Sequence, residues 1–531
     1  MLRVFKHDMA DSSKFVITLE LVPGPRHTGR KLETVLDIAR DASKDGRISA
    51  VSITDNPGGS PALGPGALAY QLLRKGLDVI VHFTCRDMNR GGMESRALQM
   101  AMLGMRNILA LNGDYIGKGF GGQGKPVFDL DSVGLVLMLS MLNERDRNTD
   151  PEEFFTGCAV SPFKQTQAEC FAQYAKMVRK ISAGADYMIT QLGYDARKFD
   201  ELIRIQKETE CSVPTLASLY VLTPGAARMM NQGKIPGCVV TDKLLQQVES
   251  EWANKDEGRR SAIERAAKLG VILKGLGYKG IHIGGVHTNF RVAAQILDRM
   301  ADIENQWRKF LPEFDYPQEK GYYIYSPEVV GTNTFGRADK DPNPITTIDK
   351  ILFHSLDKIH SIFFNADASV ASWLRTVSGW LDKYRLGHAL VHLLEDPVKI
   401  LLLSCQRCGD CGIQHIAFQC PESGCPKHTR NGACGGSLNS RCEVRPEQQC
   451  VWVRAYNRWE SVGRTDQMFK ECVPPRMWEL NSTSSWLNFH LGLDHQTAST
   501  EVTRLCRSVT CKLKDEAPLD SGDKRSGNNK L

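Results

Sequence analysis

The chain has 531 residues, of which 42% are hydrophobic and 24% charged, and its formal net charge is +6. A chain of this length is too long to fold around a single hydrophobic core, which predicts two or three domains. Its composition is that of an ordinary globular protein. The positive charge is spread along the chain without a basic run, so we expect no nucleic-acid partner. The longest apolar stretch, 133–142, is much shorter than the roughly 20 residues of a bilayer span, so no membrane segment is predicted.

The first part of the chain alternates short β-rich runs with helical stretches, which is typical of βα units around a parallel sheet. The predicted strands are 15–21, 50–54, 79–83, 107–111, 156–160, 187–191, 213–217 and 280–284. Eight such strands predict an α/β fold, a closed (β/α)8 TIM barrel over residues 1–305. In these barrels the chemistry lies at the carboxyl ends of the strands, which selects the residues to inspect.

Polar side chains recur at those strand ends. They are Glu20, Thr54, Asp55, His82, Thr84, Asp87, Asp114 and Gln191. A single carboxylate after a strand is more often a helix cap or an ion-pair partner, and His82 between Val81 and Phe83 could be a core histidine. Because caps and core residues have no reason to share one end of successive strands, the set indicates an active site.

The remainder of the chain divides by composition. Residues 306–400 begin with proline- and tyrosine-rich loops and become helical from Ile348, which predicts a linker and a helical docking layer. Within it, 369–384 carries apolar residues at helical spacing and is expected to pack against the barrel or the next domain. Residues 401–485 form a cysteine-rich domain, and 486–531 form a tail whose end, DEAPLDSGDKRSGNNKL, has a disordered composition.

Eight cysteines lie within 46 residues of the third domain. They are Cys405, Cys408, Cys411, Cys420, Cys425, Cys434, Cys442 and Cys450. A disulfide framework would suit a small secreted domain, but the start MLRVFKHDMADSSKF has no apolar core or cleavage site, so we expect a reducing cytoplasm and metal ligation. The x2, x2 spacing of the first three, and the proline after Cys420, favour a [4Fe–4S] cluster.

Zinc is the alternative metal, since Cys-x2-Cys pairs also form structural zinc sites, in which His415 or His428 could replace a thiolate. Eight thiolates could serve two four-ligand sites. One cluster together with several buried structural thiols is the other possibility. Cys472, Cys506 and Cys511 fall outside the regular spacing and are not expected to be ligands.

Five segments carry a family resemblance: FVITLELVPGP, VSITDN, VHFTCRD, GMRNILALNGD and AGADYMITQLGYD, in this order over about residues 14–300. Together they resemble methylenetetrahydrofolate reductase. The cysteine block, with CPESGCPK and NGACGG, resembles the C-terminal or partner domain found with certain bacterial and acetogen-type reductases, where it is associated with iron–sulfur clusters or zinc.

The resemblance implies a flavin-bearing barrel, with FAD or FMN, that reduces 5,10-methylenetetrahydrofolate to 5-methyltetrahydrofolate in one-carbon metabolism. By this match Glu20 is the general acid that protonates folate N10, Asp114 lies between flavin and pterin, and Gln191 hydrogen-bonds the pterin. The positions expected to line the cofactor are Thr54, His82, Thr84, Asn112 and Asp114. Tyr220 could stack on the folate, because Pro224 stands where the family has an aromatic residue.

Other departures leave alternatives open. Asn112 stands where the family often has arginine, and Ser161 and Gln165 replace an expected tyrosine and histidine. A barrel that keeps the folate-facing Glu20, Asp114 and Gln191 but has lost flavin could be a tetrahydrofolate-dependent methyltransferase or demethylase. A third reading is an electron-transfer or scaffold subunit. The electron donor, NAD(P)H or a redox partner protein, cannot be read from a nucleotide motif, and a homo-oligomer remains open.

Overall fold

The computed structural model describes residues 4–150, 152–209, 211–325, 345–365, 367–470, 472–498 and 500–508. Its first part is a closed barrel of eight parallel strands in which each strand pairs with its chain neighbours and the last pairs with the first. The strands are β1 (Val16–Leu21), β2 (Ala50–Ile53), β3 (Val79–Thr84), β4 (Asn107–Leu111), β5 (Phe155–Val160), β6 (Tyr187–Thr190), β7 (Thr215–Tyr220) and β8 (Gly280–Gly284). The predicted (β/α)8 fold is confirmed.

The largest difference from the predicted strands is in β7, expected at 213–217 and found at Thr215–Tyr220. Pro214 has no backbone N–H to donate to a ladder, which delays the start of the strand. At the other end Ser218, Leu219 and Tyr220 pair with β8, so the strand continues to the barrel mouth. This extension makes Tyr220 a strand-end residue.

Helices cover the outside of the barrel and continue into the C-terminal part. They are α1 (Val4–Ala10), α2 (Arg30–Asp45), α3 (Pro65–Leu73), α4 (Arg90–Met102), α5 (Ser132–Asp146), α6 (Gln167–Ser182), α7 (Ala196–Glu208), α8 (Pro224–Asn231), α9 (Asp242–Glu251), α10 (Lys255–Leu276), α11 (Arg291–Ile303), α12 (Trp307–Phe310), α13 (Thr347–Phe363), α14 (Ala371–Leu381), α15 (Arg385–Leu403), α16 (Pro421–Gly424), α17 (Val451–Glu460), α18 (Ser485–Leu491) and α19 (Glu501–Ser508). Among the described residues, none of them is both long and apolar enough to cross a bilayer.

The barrel interior changes from apolar at the bottom to polar at the top. At the amino-terminal end of the strands, Phe5 of α1 packs edge-on against Phe155 and Tyr187, which closes the bottom. Above this layer, the buried His282 ring contacts Thr18 at 2.8 Å and Ser52 at 3.4 Å. Because the bottom of the barrel is closed by apolar side chains and polar side chains lie above them, a polar ligand can bind only at the carboxyl ends of the strands.

The cysteine-rich region packs on the barrel through α5 and α6. Asn431 donates its backbone N–H to Asp131, the N-cap of α5, at 2.8 Å. The buried Lys176 of α6 donates to Gly432 O at 3.2 Å. Gly432 has a φ of 122°, and a Cβ there would lie 2.6 Å from Cβ of Lys176, so only glycine permits this approach.

The predicted helix in 369–384 forms as α14, which packs against α18 in the C-terminal part. Its orientation differs from the expectation, because Trp373 and Trp380 are 63% and 60% exposed. The buried residues of α14 are the small Ala371 and Ser378, and Leu374, Val377 and Leu381 are half-buried. The tail composition noted in 515–531, and Cys511, lie outside the described residues.

Candidate active site and cysteine pockets

Glu20 and Tyr220 lie side by side at the barrel mouth. An ideal Cβ on Gly284, at the end of β8, would be 3.2 Å from Oε2 of Glu20 and 3.1 Å from the Tyr220 ring. Burial raises the pKa of Glu20 to about 7, and no partner hydrogen-bonds its carboxyl group among the described residues. A carboxyl group in this state is half protonated near neutral pH and can donate a proton.

Asp114 approaches the same place from the loop after β4. Its carboxylate accepts a hydrogen bond from the Gly58 N–H at 2.8 Å, which fixes its direction. Burial raises the pKa of the neighbouring Cys238 to about 12, and the carboxylates of Asp114 and Glu20 raise it further. Cys238 therefore lies within the field of both acidic groups.

Gln191 completes the rim from the end of β6. Its amide nitrogen donates to Pro236 O at 3.4 Å, and its amide oxygen accepts from Leu192 N at 2.9 Å. The segment at Pro236–Cys238 thus contacts Gln191 and lies near both acidic groups. Glu20, Asp114 and Gln191 are each partly exposed, and all three lie near the segment Pro236–Cys238.

Tyr220 is held at this rim by two contacts. Its backbone oxygen accepts from the Tyr194 hydroxyl at 3.2 Å, and its own hydroxyl lies 3.4 Å from Nε2 of His287. Burial, and then the neighbouring Glu20, raise the pKa of Tyr220 to about 12, so it stays a neutral phenol. A neutral aromatic side chain at the edge of the opening can stack on a flat ligand.

Below the rim, two buried polar atoms have no protein partner: Oγ1 of Thr54 and Nε2 of His82. Burial lowers the pKa of His82 to about 4, so its ring is neutral. Buried polar groups are normally hydrogen-bonded, and orphaned ones in a concave site are consistent with a ligand. Thr84 differs, because its hydroxyl already donates to Asp55 at 3.1 Å.

Asn112 contacts groups outside the barrel wall. Its amide oxygen accepts from Ser132 N at 3.1 Å and from Nζ of Lys176 at 3.0 Å, while its amide nitrogen has no partner. Among the described contacts, the ammonium group of Lys176 on α6 is therefore the only cation that reaches Asn112. That lysine is in turn held by the cysteine-rich region at Gly432 O.

Sequence reasoning missed two residues of this region. His282 was detectable, because it alternates into the barrel from β8 as His82 does from β3, and its pKa is lowered to about 3 by burial and by His82. Lys427 was not detectable. Its ammonium group donates to Gly113 O at 2.8 Å and pairs with Glu443 at 2.5 Å, and only the docked domains bring these groups together.

The eight cysteines separate into two groups of four around two cavities. The first cavity is lined by Cys405, Cys408, Cys411 and Cys420. The second is lined by Cys425, Cys434, Cys442 and Cys450. We call them the first and second quartets. Among the described residues, no three histidine, cysteine or acidic side chains converge closely enough to hold a single metal ion.

The second quartet lies beside the barrel mouth. Lys427 and Glu443 both line its cavity, and Lys427 also binds the carbonyl of Gly113, next to Asp114. A second bond to the barrel comes from Lys164, which donates to Ser437 O at 2.7 Å. One charged network therefore joins the cysteine pocket to the rim.

Comparisons with known proteins agree with the two parts of the fold. Residues 6–301 match the family described as methylenetetrahydrofolate reductase, and residues 387–479 match the one described as methylene-tetrahydrofolate reductase C terminal. A probable methylenetetrahydrofolate reductase (NADPH) of Caenorhabditis elegans is 25% identical over 36% of this chain and 28% of its own length. Methylenetetrahydrofolate reductase 1 of Schizosaccharomyces pombe is 28% identical over 29% of this chain and 24% of its own length.

The match thus spans about a quarter of the length of each of these curated relatives. Among solved structures, an uncharacterized protein from Clostridium thermocellum that binds two copies of 5-methyl-5,6,7,8-tetrahydrofolic acid covers 57% of this chain and 99% of its own, at 13% identity and a TM-score of 0.39. That score is too low to support a functional statement. The family matches confirm the resemblance carried by the sequence motifs: this chain belongs to the methylenetetrahydrofolate reductase family.

Proposed function

We propose that the chain reduces 5,10-methylenetetrahydrofolate to 5-methyltetrahydrofolate at the barrel mouth, as an oxidoreductase of the CH-NH type. The observation that carries this proposal is the pKa of Glu20, raised to about 7 at an opening shared with Asp114 and Gln191. Family membership supplies the reaction class, and the rim supplies the groups the reaction needs.

Each rim residue has a role in this reaction. Glu20 donates a proton to N10 of the folate, which opens the five-membered ring to a 5-iminium ion. Gln191 offers a donor and an acceptor to the pterin edge, and Tyr220 stacks on the ligand. Asp114, whose carboxylate is held by the Gly58 N–H, would lie between flavin and pterin, as the family resemblance implies.

The buried, unpartnered atoms of Thr54 and His82 fit a flavin, FAD or FMN, above the middle layer of the barrel. Thr84 and Asn112 would adjoin it at the ends of β3 and β4. When bound there in its reduced form, a flavin would supply the hydride that reduces the iminium carbon. Because burial keeps the His82 ring neutral, it would offer a flavin one hydrogen-bond donor or acceptor without adding a charge.

For the two quartets we favour iron–sulfur clusters over zinc. Three cysteines at x2, x2 spacing and a proline after Cys420 are typical of [4Fe–4S] ligation, although Cys-x2-Cys pairs also form structural zinc sites. We propose one [4Fe–4S] cluster per quartet, with zinc as the alternative. Clusters would supply single electrons beside the mouth, which fits a redox partner protein in the cytoplasm as donor, with NAD(P)H as the alternative.

The surroundings of Asn112 favour a second candidate. The neutral amide of Asn112 cannot supply the fixed cation that the family's arginine would place beside a flavin. Its oxygen is in addition already hydrogen-bonded to Ser132 and Lys176. A flavin-free barrel with the same Glu20 and Gln191 would be a tetrahydrofolate-dependent methyltransferase or demethylase. There Glu20 protonates the leaving group of a methyl donor while folate N5 takes the methyl group.

The test is anaerobic purification of the full chain, followed by measurement of its visible spectrum, its iron, zinc and flavin content, and its turnover. The proposal expects flavin bands over an iron–sulfur shoulder and formation of 5-methyltetrahydrofolate from 5,10-methylenetetrahydrofolate with a reduced viologen dye. Absence of flavin together with methyl transfer to tetrahydrofolate would replace the reductase by the second candidate. A loaded protein that does neither would refute both.

A further inference from the structure

Lys427 belongs to the cysteine-rich region, but one of its two polar contacts lies in the barrel. Its ammonium group donates to Gly113 O at 2.8 Å and lies 2.5 Å from a carboxylate oxygen of Glu443. The Lys427 side chain is buried. Because a buried charge without polar partners is costly, the ammonium group is tied to both of these groups. Lys427 therefore links the second quartet to the turn that carries Asp114.

Gly113 precedes Asp114 in the turn after β4. Its carbonyl oxygen and the Asp114 N–H belong to one planar peptide group, so a bond that fixes the carbonyl also orients the Asp114 backbone. Among the described contacts, Lys427 is the only donor to this carbonyl. Gly113 has a φ of 85°, and a Cβ there would lie 3.0 Å from Cβ of Thr84, so the position requires glycine. With no side chain at Gly113 to hold it, this peptide is held from outside the barrel.

The rest of the loop is held by the barrel itself. The Gly58 N–H donates to the Asp114 carboxylate at 2.8 Å, and Arg86 donates to Asp114 O at 3.3 Å. Further along, the Gly117 N–H donates to Gly59 O at 2.9 Å. These bonds fix the carboxylate and the end of the loop. They leave the peptide before Asp114 to the cysteine-rich region.

A second buried lysine crosses the same interface in the opposite direction. Lys164, in the barrel loop after β5, donates to Gly435 O at 2.5 Å and to Ser437 O at 2.7 Å. This lysine docks the two regions, but its described contacts include no group of the loop 112–117. The two lysines thus make the same kind of bond and differ in what they hold, which makes Lys164 a matched control for Lys427.

We propose that Lys427 is a positioning residue of the folate site, which orients the backbone of Asp114 at the barrel mouth by binding Gly113 O. This inference rests on the proposed folate reaction and extends it, because the cysteine-rich region then shapes the site in addition to holding metal. A shift of about 1 Å at a reacting group can lower a rate about 100-fold. A loosened Asp114 turn should therefore slow the chemical step more than it weakens binding.

The test combines hydrogen–deuterium exchange over 112–117 with single-turnover rates of the anaerobically purified full chain. Lys427→Met keeps an unbranched side chain and removes its donor. We expect exchange over 112–117 to become about tenfold faster and the single-turnover rate with 5,10-methylenetetrahydrofolate to fall about 10- to 100-fold. The dissociation constant for 5-methyltetrahydrofolate should change by less than about threefold. Lys164→Met should leave both the exchange and the rate within about threefold of wild type.

Lys427 also adjoins the second quartet, so iron content is measured in each variant and Cys425→Ser shows what loss of that quartet alone does. If Lys427→Met loses iron, faster exchange over 112–117 than in Cys425→Ser supports the positioning role. Equal exchange in these two variants overturns it, because Lys427 then acts only through the quartet. Equal changes in Lys427→Met and Lys164→Met would show a general loosening of the interface and also overturn it.

This proposal and the proposed reaction fail separately. A wild type that forms no 5-methyltetrahydrofolate counts against the reaction, whereas exchange over 112–117 still reports whether Lys427 holds the turn. An active wild type whose exchange and single-turnover rate are unchanged in Lys427→Met overturns the positioning role alone.

Discussion

The barrel and the cysteine-rich region are held in shape by different means. Among the described residues between Val16 and Ile303, only Asn56 and Phe128 are non-glycine residues with positive φ, whereas eight described residues in 404–482 have it. The eight are Ser404, Arg407, Ala417, Phe418, His428, Asn439, Ser440 and Ser482. Each costs roughly 1 kcal/mol relative to the right-handed region. The barrel is stabilised by the hydrogen bonds of its closed sheet, whereas the described part of the cysteine-rich region has no sheet of this kind and holds its loops in less favourable backbone conformations.

The largest expected effect lies on the barrel side of this comparison. Glu20→Gln removes the proton donor while keeping the shape of the rim, so turnover should fall by about 100- to 10,000-fold with folate affinity little changed. Steady-state and single-turnover rates with a binding titration measure it, and Glu33→Gln on the exposed face of α2 is the matched control. Unchanged turnover would remove Glu20 from the mechanism.

The pH dependence of the chemical step should report the same group. Because the pKa of Glu20 is about 7, the acid form is present below that pH and is lost above it. The single-turnover rate should be constant below pH 6 and fall about tenfold per pH unit well above 7. A rate that rises with pH through 7 would mean that Glu20 acts as a base instead.

In the cysteine-rich region, a single substitution in either quartet should remove part of the metal content. Cys408→Ser and Cys425→Ser should each lose about half of the iron, since each disables one of two four-thiolate sites. Thermal unfolding should then show the C-terminal transition lowered and the barrel transition retained. The control Cys472→Ala changes a buried thiol outside both quartets. Loss of all the iron in either variant would argue for one shared site.

The smallest effect is on stability. The pKa of Glu20 is raised on folding from 4.5 to about 7, so the folded state binds more protons over that range. Stability therefore falls as the pH rises from about 4.5 to 7, by less than about 1.4 kcal/mol per pH unit, and is level above it. Urea unfolding of wild type and Glu20→Gln should show this slope in the wild type alone. Parallel curves would mean that Glu20 is well solvated.

The two regions also differ in how far sequence could predict them. Strand alternation placed Glu20, Asp114 and Gln191 at strand ends, because a barrel brings all such ends to one face. The thiol spacing indicated metal ligation but did not decide between one metal site and two. Loops with unusual backbone angles determine which cysteines come together, and spacing does not reveal those angles. The link from Lys427 to Gly113 depends on domain docking, and helical periodicity in α14 predicted a helix without showing which side is buried.

The central claim is that Glu20, Asp114 and Gln191 line one folate-binding opening. Its most direct test is an equilibrium titration of the anaerobic protein with 5-methyltetrahydrofolate, comparing wild type, Gln191→Leu and the control Gln99→Leu on the outer helix α4. We predict saturable binding to wild type and to the control, weakened at least tenfold in Gln191→Leu because a buried pterin edge loses its hydrogen bonds. Equal affinity in all three proteins would contradict the account.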